Sequence, residues 1–114
     1  MSTDDTMLIG FKAICNFVAD LDTVYGKRHK PLRLYNRIIR KTSISNDEII
    51  KRHLILFNNF CVNNREALSE QNVEKLTLTK LEYSERIFID MKLIFHIADK
   101  DTLPVIWKHL LTIS

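Results

Sequence analysis

What most restricts the fold of this chain is how little it has with which to turn. Two glycines, Gly10 and Gly26, and two prolines, Pro31 and Pro104, are all that its 114 residues contain. Tight β-turns draw on glycine for positive φ and on proline for a preset φ. An all-β chain needs such turns at short intervals, so this sequence favours long helices instead. A length of 114 residues gives one domain, residues 1–114, with room for a real core but not for two. With 46% of residues apolar and 27% charged, the composition is globular rather than disordered.

Hydrophobic spacing locates the helices. Met7, Leu8, Phe11, Ile14, Cys15, Val18, Leu21 and Tyr25 recur at i, i+3, i+4, i+7, so a first helix is expected from about Asp5 to Tyr25, capped by Asp4 or Asp5 and ended by Gly26. Pro31 suits the first turn of a second helix. Ser45-Asn46-Asp47-Glu48 has the form of a capping box, with Ile44 placed to staple onto Ile49, and a third helix should follow from Asn46 to about Asn63. Its apolar residues Ile49, Ile50, His53, Leu54, Leu56, Phe57, Phe60 and Cys61 cover more than half its circumference, which predicts the most buried element, at the centre of the bundle. The asparagines crowding its end predict a break near Asn63, with a short helical piece over 64–71. Residues 72–83 alternate only locally and read as an irregular segment wrapping outside the bundle. From Ser84 the text is helical again through Ile87, Phe88, Met91, Ile94, Phe95 and Ala98. A last helix, capped by Asp101 or Thr102 with Pro104 in its first turn, buries Leu103, Ile106, Trp107, Leu110 and Leu111. It ends either at a bare terminus or where a longer protein continues. The expected fold is all-α, a compact bundle of four or five helices with one irregular wrapping segment.

Charge is distributed unevenly along this framework. Residues 27–41 hold seven of the 17 Lys and Arg residues and no carboxylate, while the remaining ten face all 14 Asp and Glu, a balance of −4. The seven are Lys27, Arg28, Lys30, Arg33, Arg37, Arg40 and Lys41. Stepping around a helix from Pro31, Arg33, Arg37, Arg40 and Lys41 fall within an arc of roughly 100°, opposite Leu32, Leu34, Tyr35, Ile38 and Ile39. Guanidinium groups held on one rigid face suit phosphates and carboxylates, which each fork can bind bidentately. Such a face can also be merely solvated, as charged faces of amphipathic helices commonly are. Of the ligands, an acidic protein surface is favoured over nucleic acid. The net charge is only +3, and the one aromatic ring in the stretch, Tyr35, lies on the apolar side, so no stacking platform accompanies the cations.

Other chemistry finds little support. No apolar run approaches the ~18 residues that span a bilayer, and the acidic start Met1-Ser2-Thr3-Asp4-Asp5 is unlike a signal peptide, so no membrane association and no secretion are expected. Cys15 and Cys61 form neither a disulfide framework nor a zinc site, which fits a reducing, intracellular setting. His29, His53, His96 and His109 show no i, i+4 pairing and no ligand-spaced cysteine, so no metal and no cofactor are expected. Cys61 and His53 lie about 12 Å apart along one helix, too far for a nucleophile and its base. Neither glycine falls in a phosphate-cradling loop. Trp107 and the phenylalanines read as core. If Trp107, Leu110 and Leu111 instead ended on open surface, they would form an apolar anchor for a partner.

The segment Glu82-Tyr83-Ser84-Glu85-Arg86-Ile87-Phe88-Ile89-Asp90, followed by an Asp-rich turn and Ile106-Trp107-Lys108-His109-Leu110-Leu111-Thr112-Ile113-Ser114, resembles small α-helical proteins of large nucleocytoplasmic DNA viruses of algae and protists. The resemblance covers the last third of the chain and carries no site residue. It implies a viral origin, with a place in the virion or in the host cytoplasm or nucleus. The sequence therefore leads to a non-enzymatic interaction or structural module that binds an acidic protein partner through the basic helix, with nucleic-acid binding through the same residues as the alternative.

Overall fold

The computed structural model describes residues 5–43 and 45–114. The expected cap from Asp4 and the staple from Ile44 lie outside those residues. In chain order the elements are α1 (Asp5–Tyr25), α2 (Lys30–Arg40), α3 (Asp47–Asn63), α4 (Arg65–Glu70), a single 3-10 turn (Val73–Lys75), β1 (Lys80–Glu82), β2 (Phe88–Asp90), α5 (Met91–Ile97) and α6 (Leu103–Ile113). The fold is mainly α, but it is not a pure bundle. No described helix is long and apolar enough to cross a membrane.

Long α1 forms the floor, packing against α2, α3 and α6. Its stripe buries Phe11, Ile14, Phe17, Val18, Leu21 and Tyr25. Facing them are Leu32, Tyr35 and Ile39 of α2, Ile50, Phe57 and Phe60 of α3, and Ile106, Trp107 and Leu110 of α6. Because α3 contacts α1, β1, α4 and α6, it is central as expected. It is not buried all round, however: Ile55 and Val62 stand on its outer face, 60% and 50% exposed. The cap of α3 is also one residue later than the Ser45 box. The N–H of Ile49 donates to Asn46 Oδ1 at 3.3 Å, and the Ser45 hydroxyl is engaged with that of Ser43 at 2.8 Å.

The largest departure from the expected bundle is a β-hairpin within residues 80–90. β1 and β2 pair antiparallel with Leu81 opposite Ile89, and both of these side chains are fully buried. Ile87 closes the loop, its carbonyl accepting the N–H groups of Tyr83 and Ser84, each at 3.0 Å. The apparent helical period from Ile87 onward is real only from Met91. There the Asp90 carboxylate accepts the N–H of Leu93 at 3.2 Å and starts α5 as its cap. The hairpin rests on α2 through β2 and on α3 through β1.

Residues 76–79, expected to wrap outside, do so by borrowing one side chain. Asn64, buried at the joint between α3 and α4, accepts the N–H of Thr77 at 2.8 Å and that of Leu78 at 3.2 Å, and donates Nδ2–H to the Leu78 carbonyl at 2.7 Å. A lone extended segment cannot pair its own backbone, and here an amide side chain substitutes for the missing neighbouring strand. Replacing Asn64→Ala removes these bonds, together with a longer one from the Thr77 hydroxyl at 3.4 Å, and should cost about 2 kcal/mol in urea unfolding. Hydrogen exchange should show the Thr77 and Leu78 amides losing protection before those of α1; unchanged protection would mean that other contacts hold the segment.

Candidate recognition face on the second helix

Two constraints seat α2. On its inner side Leu32, Tyr35, Asn36 and Ile39 are buried. The Tyr35 hydroxyl and His53 Nδ1 of α3 share a hydrogen bond of 2.8 Å, and both side chains are fully buried. Tyr83 stacks on the His53 ring at 4.7 Å between centroids, and Arg52 lies 3.9 Å over the other side chain of that stack, Tyr83, while donating to the Tyr83 carbonyl at 2.8 Å. At its edge α2 is held to α1 by Asp22, whose carboxylate accepts from Arg33 Nε at 3.1 Å and from Asn36 Nδ2 at 2.8 Å. Gly26 makes this possible. A Cβ there would collide with Asp22 Oδ1 and fall 2.7 Å from Arg33 Nη2.

On the outer side all seven predicted cations, Lys27, Arg28, Lys30, Arg33, Arg37, Arg40 and Lys41, are exposed. The helix begins at Lys30, one residue earlier than expected, so Lys30 joins Arg33, Arg37, Arg40 and Lys41 on one arc of about 100°. Arg33 is neutralised by Asp22; among the described residues no ion pair engages the other six. Leu34, expected on the apolar side, is instead 39% exposed. It sits about 20° beyond Lys41 on the wheel, at the rim of the cationic arc rather than across from it. Gly26, Lys27, Lys30, Arg33, Leu34 and Arg37 line a hollow of about 400 Å³.

The electrostatics of this end of α2 are unfavourable for the isolated protein. A helix N-terminus carries partial positive charge and favours anions, yet its first turn has no acidic residue and Lys27, Arg28 and Lys30 surround it. His29, at the capping position, adds no charge. Its Nε2 accepts the N–H of Asp90 at 2.9 Å, which requires that nitrogen unprotonated, and burial holds its pKa below the usual value.

The remaining candidates separate clearly. Trp107 and Leu110 are buried, with Trp107 stacked on Phe95 at 4.5 Å between centroids, so the proposed apolar anchor is core apart from Leu111, which is 42% exposed. Cys15 and Cys61 are free thiols whose pKa values burial raises, that of Cys61 to about 11. His109 Nε2 meets Asp20 Oδ2 at 2.8 Å across α6 and α1. The parts that escaped sequence reasoning are Asp22, His29 and His53. Each acts on a partner eleven to sixty-one residues away, and no local pattern announces a bond of that kind.

Residues 10–114 match the family of unknown function DUF5891, and the chain belongs to that family. No curated protein and no solved structure matches the chain.

The seat of α2 should be sensitive to acid. Burial, with the Arg52 charge nearby, lowers the His53 pKa from 6.5 to about 4. The folded state therefore binds fewer protons than the unfolded chain between those values. His53 contributes stability that is full above pH 6.5 and is lost as pH falls through 4, roughly 3 kcal/mol in all. His53→Gln, which keeps an acceptor for Tyr35 but does not titrate, should flatten the wild-type decline in unfolding free energy between pH 7 and pH 4. The residual slope would come from His29, whose pKa is shifted in the same direction, and near pH 4 from Glu66 and Asp99, whose carboxylates are held below their usual values.

Proposed function

We propose that the protein is a non-enzymatic interaction module that binds an acidic protein segment in the hollow on α2. The observation that carries this reading is Leu34 in the wall of a pocket whose other side chains are Lys27, Lys30, Arg33 and Arg37. Cations alone suit any polyanion. An apolar side chain set among them adds contact area that a phosphate backbone does not use, whereas a peptide carrying Asp or Glu beside a Leu or Phe uses both. Exposed cations contribute little each, about 0–1 kcal/mol per pair, so the apolar contact matters to affinity as well as to specificity. The viral setting implied by residues 82–114 belongs to the same proposal.

Nucleic-acid binding through these residues is the competing reading. Anisotropy titrations with a synthetic peptide of alternating Glu and Leu, beside a DNA duplex, separate the two. Arg37→Glu with Lys30→Glu should abolish peptide binding, and Leu34→Ala should weaken it about fivefold, near 1 kcal/mol, with little effect on duplex binding. Duplex binding that is tighter, falls steeply with salt and ignores Leu34→Ala would reverse the assignment.

A further inference from the structure

We infer that a second copy of this chain docks on the outer face of α3, antiparallel and about a two-fold axis that passes between Asn58 and Asn59. The inference is independent of the basic face.

Three observations converge on it. First, residues 53–64 contain no Lys, Arg, Asp or Glu in a chain that is 27% charged, although Ile55, Asn58, Asn59, Val62 and Asn63 all face outward. A solvated helix face normally alternates charges, and its core-facing side normally takes the β-branched residues. Here Ile55 and Val62, 60% and 50% exposed, stand one heptad apart on the outward side. Second, four of these five outward residues read alike in both directions: apolar Ile55, amide Asn58, amide Asn59, apolar Val62; Asn63, at the end of the helix, falls outside the pattern. A two-fold interface requires such a pattern, because residue i meets residue j and j meets i. With the axis at the level between Asn58 and Asn59, Ile55 lies opposite the second copy's Val62 on the seam, while Asn58 meets the second copy's Asn58 on one flank and Asn59 meets its Asn59 on the other. The side-chain amides of Asn58 and Asn59 make no hydrogen bond within the described residues, so their donors and acceptors are available across the axis. Paired amides on a helix seam fix register, since any slip buries them against Ile or Val.

Third, the surface beside these residues has a shape to receive them. Two hollows flank α3 and share Asn58. One, of about 330 Å³, is lined by Gly10, Leu54, Ile55 and Ile113. The other, of about 420 Å³, is lined by Cys61, Val62, Leu68 and the exposed Leu111, with Arg65 at its edge. In the antiparallel register the second copy's Ile55 arrives beside Val62 and Leu111, and its Val62 arrives beside Ile55 and Leu54. Each copy thus supplies a knob for a hollow of the other, twice by symmetry. Gly10 lets Leu54 pack closely against α1 at the floor of the first hollow, since a Cβ there would lie 3.1 Å from it.

Sedimentation equilibrium of the full chain should give twice the 13.4 kDa protomer mass, and Ile55→Lys or Val62→Lys should halve it while leaving the far-ultraviolet circular dichroism spectrum at 25 °C unchanged. Orientation is read by cross-linking. Under mild oxidation the double variant Ile55→Cys with Val62→Cys should form a covalent dimer well above the native-chain background, and either single variant should not. A monomer at the highest soluble concentration overturns the inference. So does a dimer that survives both lysine variants, or single variants that cross-link as readily as the double.

Discussion

A single buried bond, between the Tyr35 hydroxyl and His53 Nδ1, ties together the parts of this structure that face outward. Tyr35 belongs to α2 and His53 to α3, and neither ring reaches solvent. Around them pack Phe11 of α1, Phe57 of α3 and Tyr83 at the end of the hairpin, with ring centroids between 4.7 and 6.3 Å apart. Both groups stay neutral because burial opposes either charge, raising the phenol and lowering the imidazole. In that low-dielectric setting a neutral pair is worth more than it would be in water, and a broken one costs correspondingly more. His53 Nε2 already lacks a partner, so the site carries one desolvated atom and has no spare bond to lose. Rotation of α2 about its axis is blocked for this reason, and the arc of cations points in a fixed direction.

That direction does not favour the stability of the free protein. Six cations without an ion pair among the described residues, on and before one short helix, repel one another, and three of them crowd its positive pole. Asp22 relieves only Arg33, and it does so as part of the joint that holds Asn36 and therefore α2 itself. A local conflict of this kind, retained in a chain whose other local choices agree with its fold, is where function is expected to reside. The neutral outer face of α3 is the complementary case. It lacks the charges that would keep it solvated, in a chain that has charges to spare.

Much of the framework was legible because long amphipathic helices announce themselves. The limits of α1, α2 and α3 follow from the Phe11 to Tyr25 stripe, from Pro31 and from the Ser45-Asn46 region to within a residue or so. The hairpin was not legible, because strands of three residues each bury one side chain, Leu81 or Ile89, and a period of two cannot show in so short a run. Asn64 likewise reads as a helix breaker from its neighbours, and only the fold reveals that it serves as strand partner to Thr77 and Leu78. The basic face was visible as composition. Its hollow was not, because Leu34 lies between the arcs that a helical wheel assigns to core and solvent, and packing decides such positions. Trp107 is legible as core from its helical spacing, and its stacking on Phe95 agrees, while Leu111 of the alternative anchor is the one residue that reaches the surface.

The two outward faces bear on each other through affinity. A hollow with one half-exposed leucine and cations screened by solvent has little with which to offset the entropy lost when a partner docks, so a single α2 face should bind weakly. A two-fold pair about α3 would carry two such faces on one rigid body. For a ligand presenting two acidic segments at the matching span, the second contact forms at an effective concentration set by the geometry rather than by the solution, and avidity can exceed either affinity a hundredfold or more. For a ligand with one segment nothing is gained. Weak monovalent sites joined by the proposed symmetric interface would therefore select for multivalent acidic partners, and the selection would reside in the spacing of the faces as much as in the chemistry of either one.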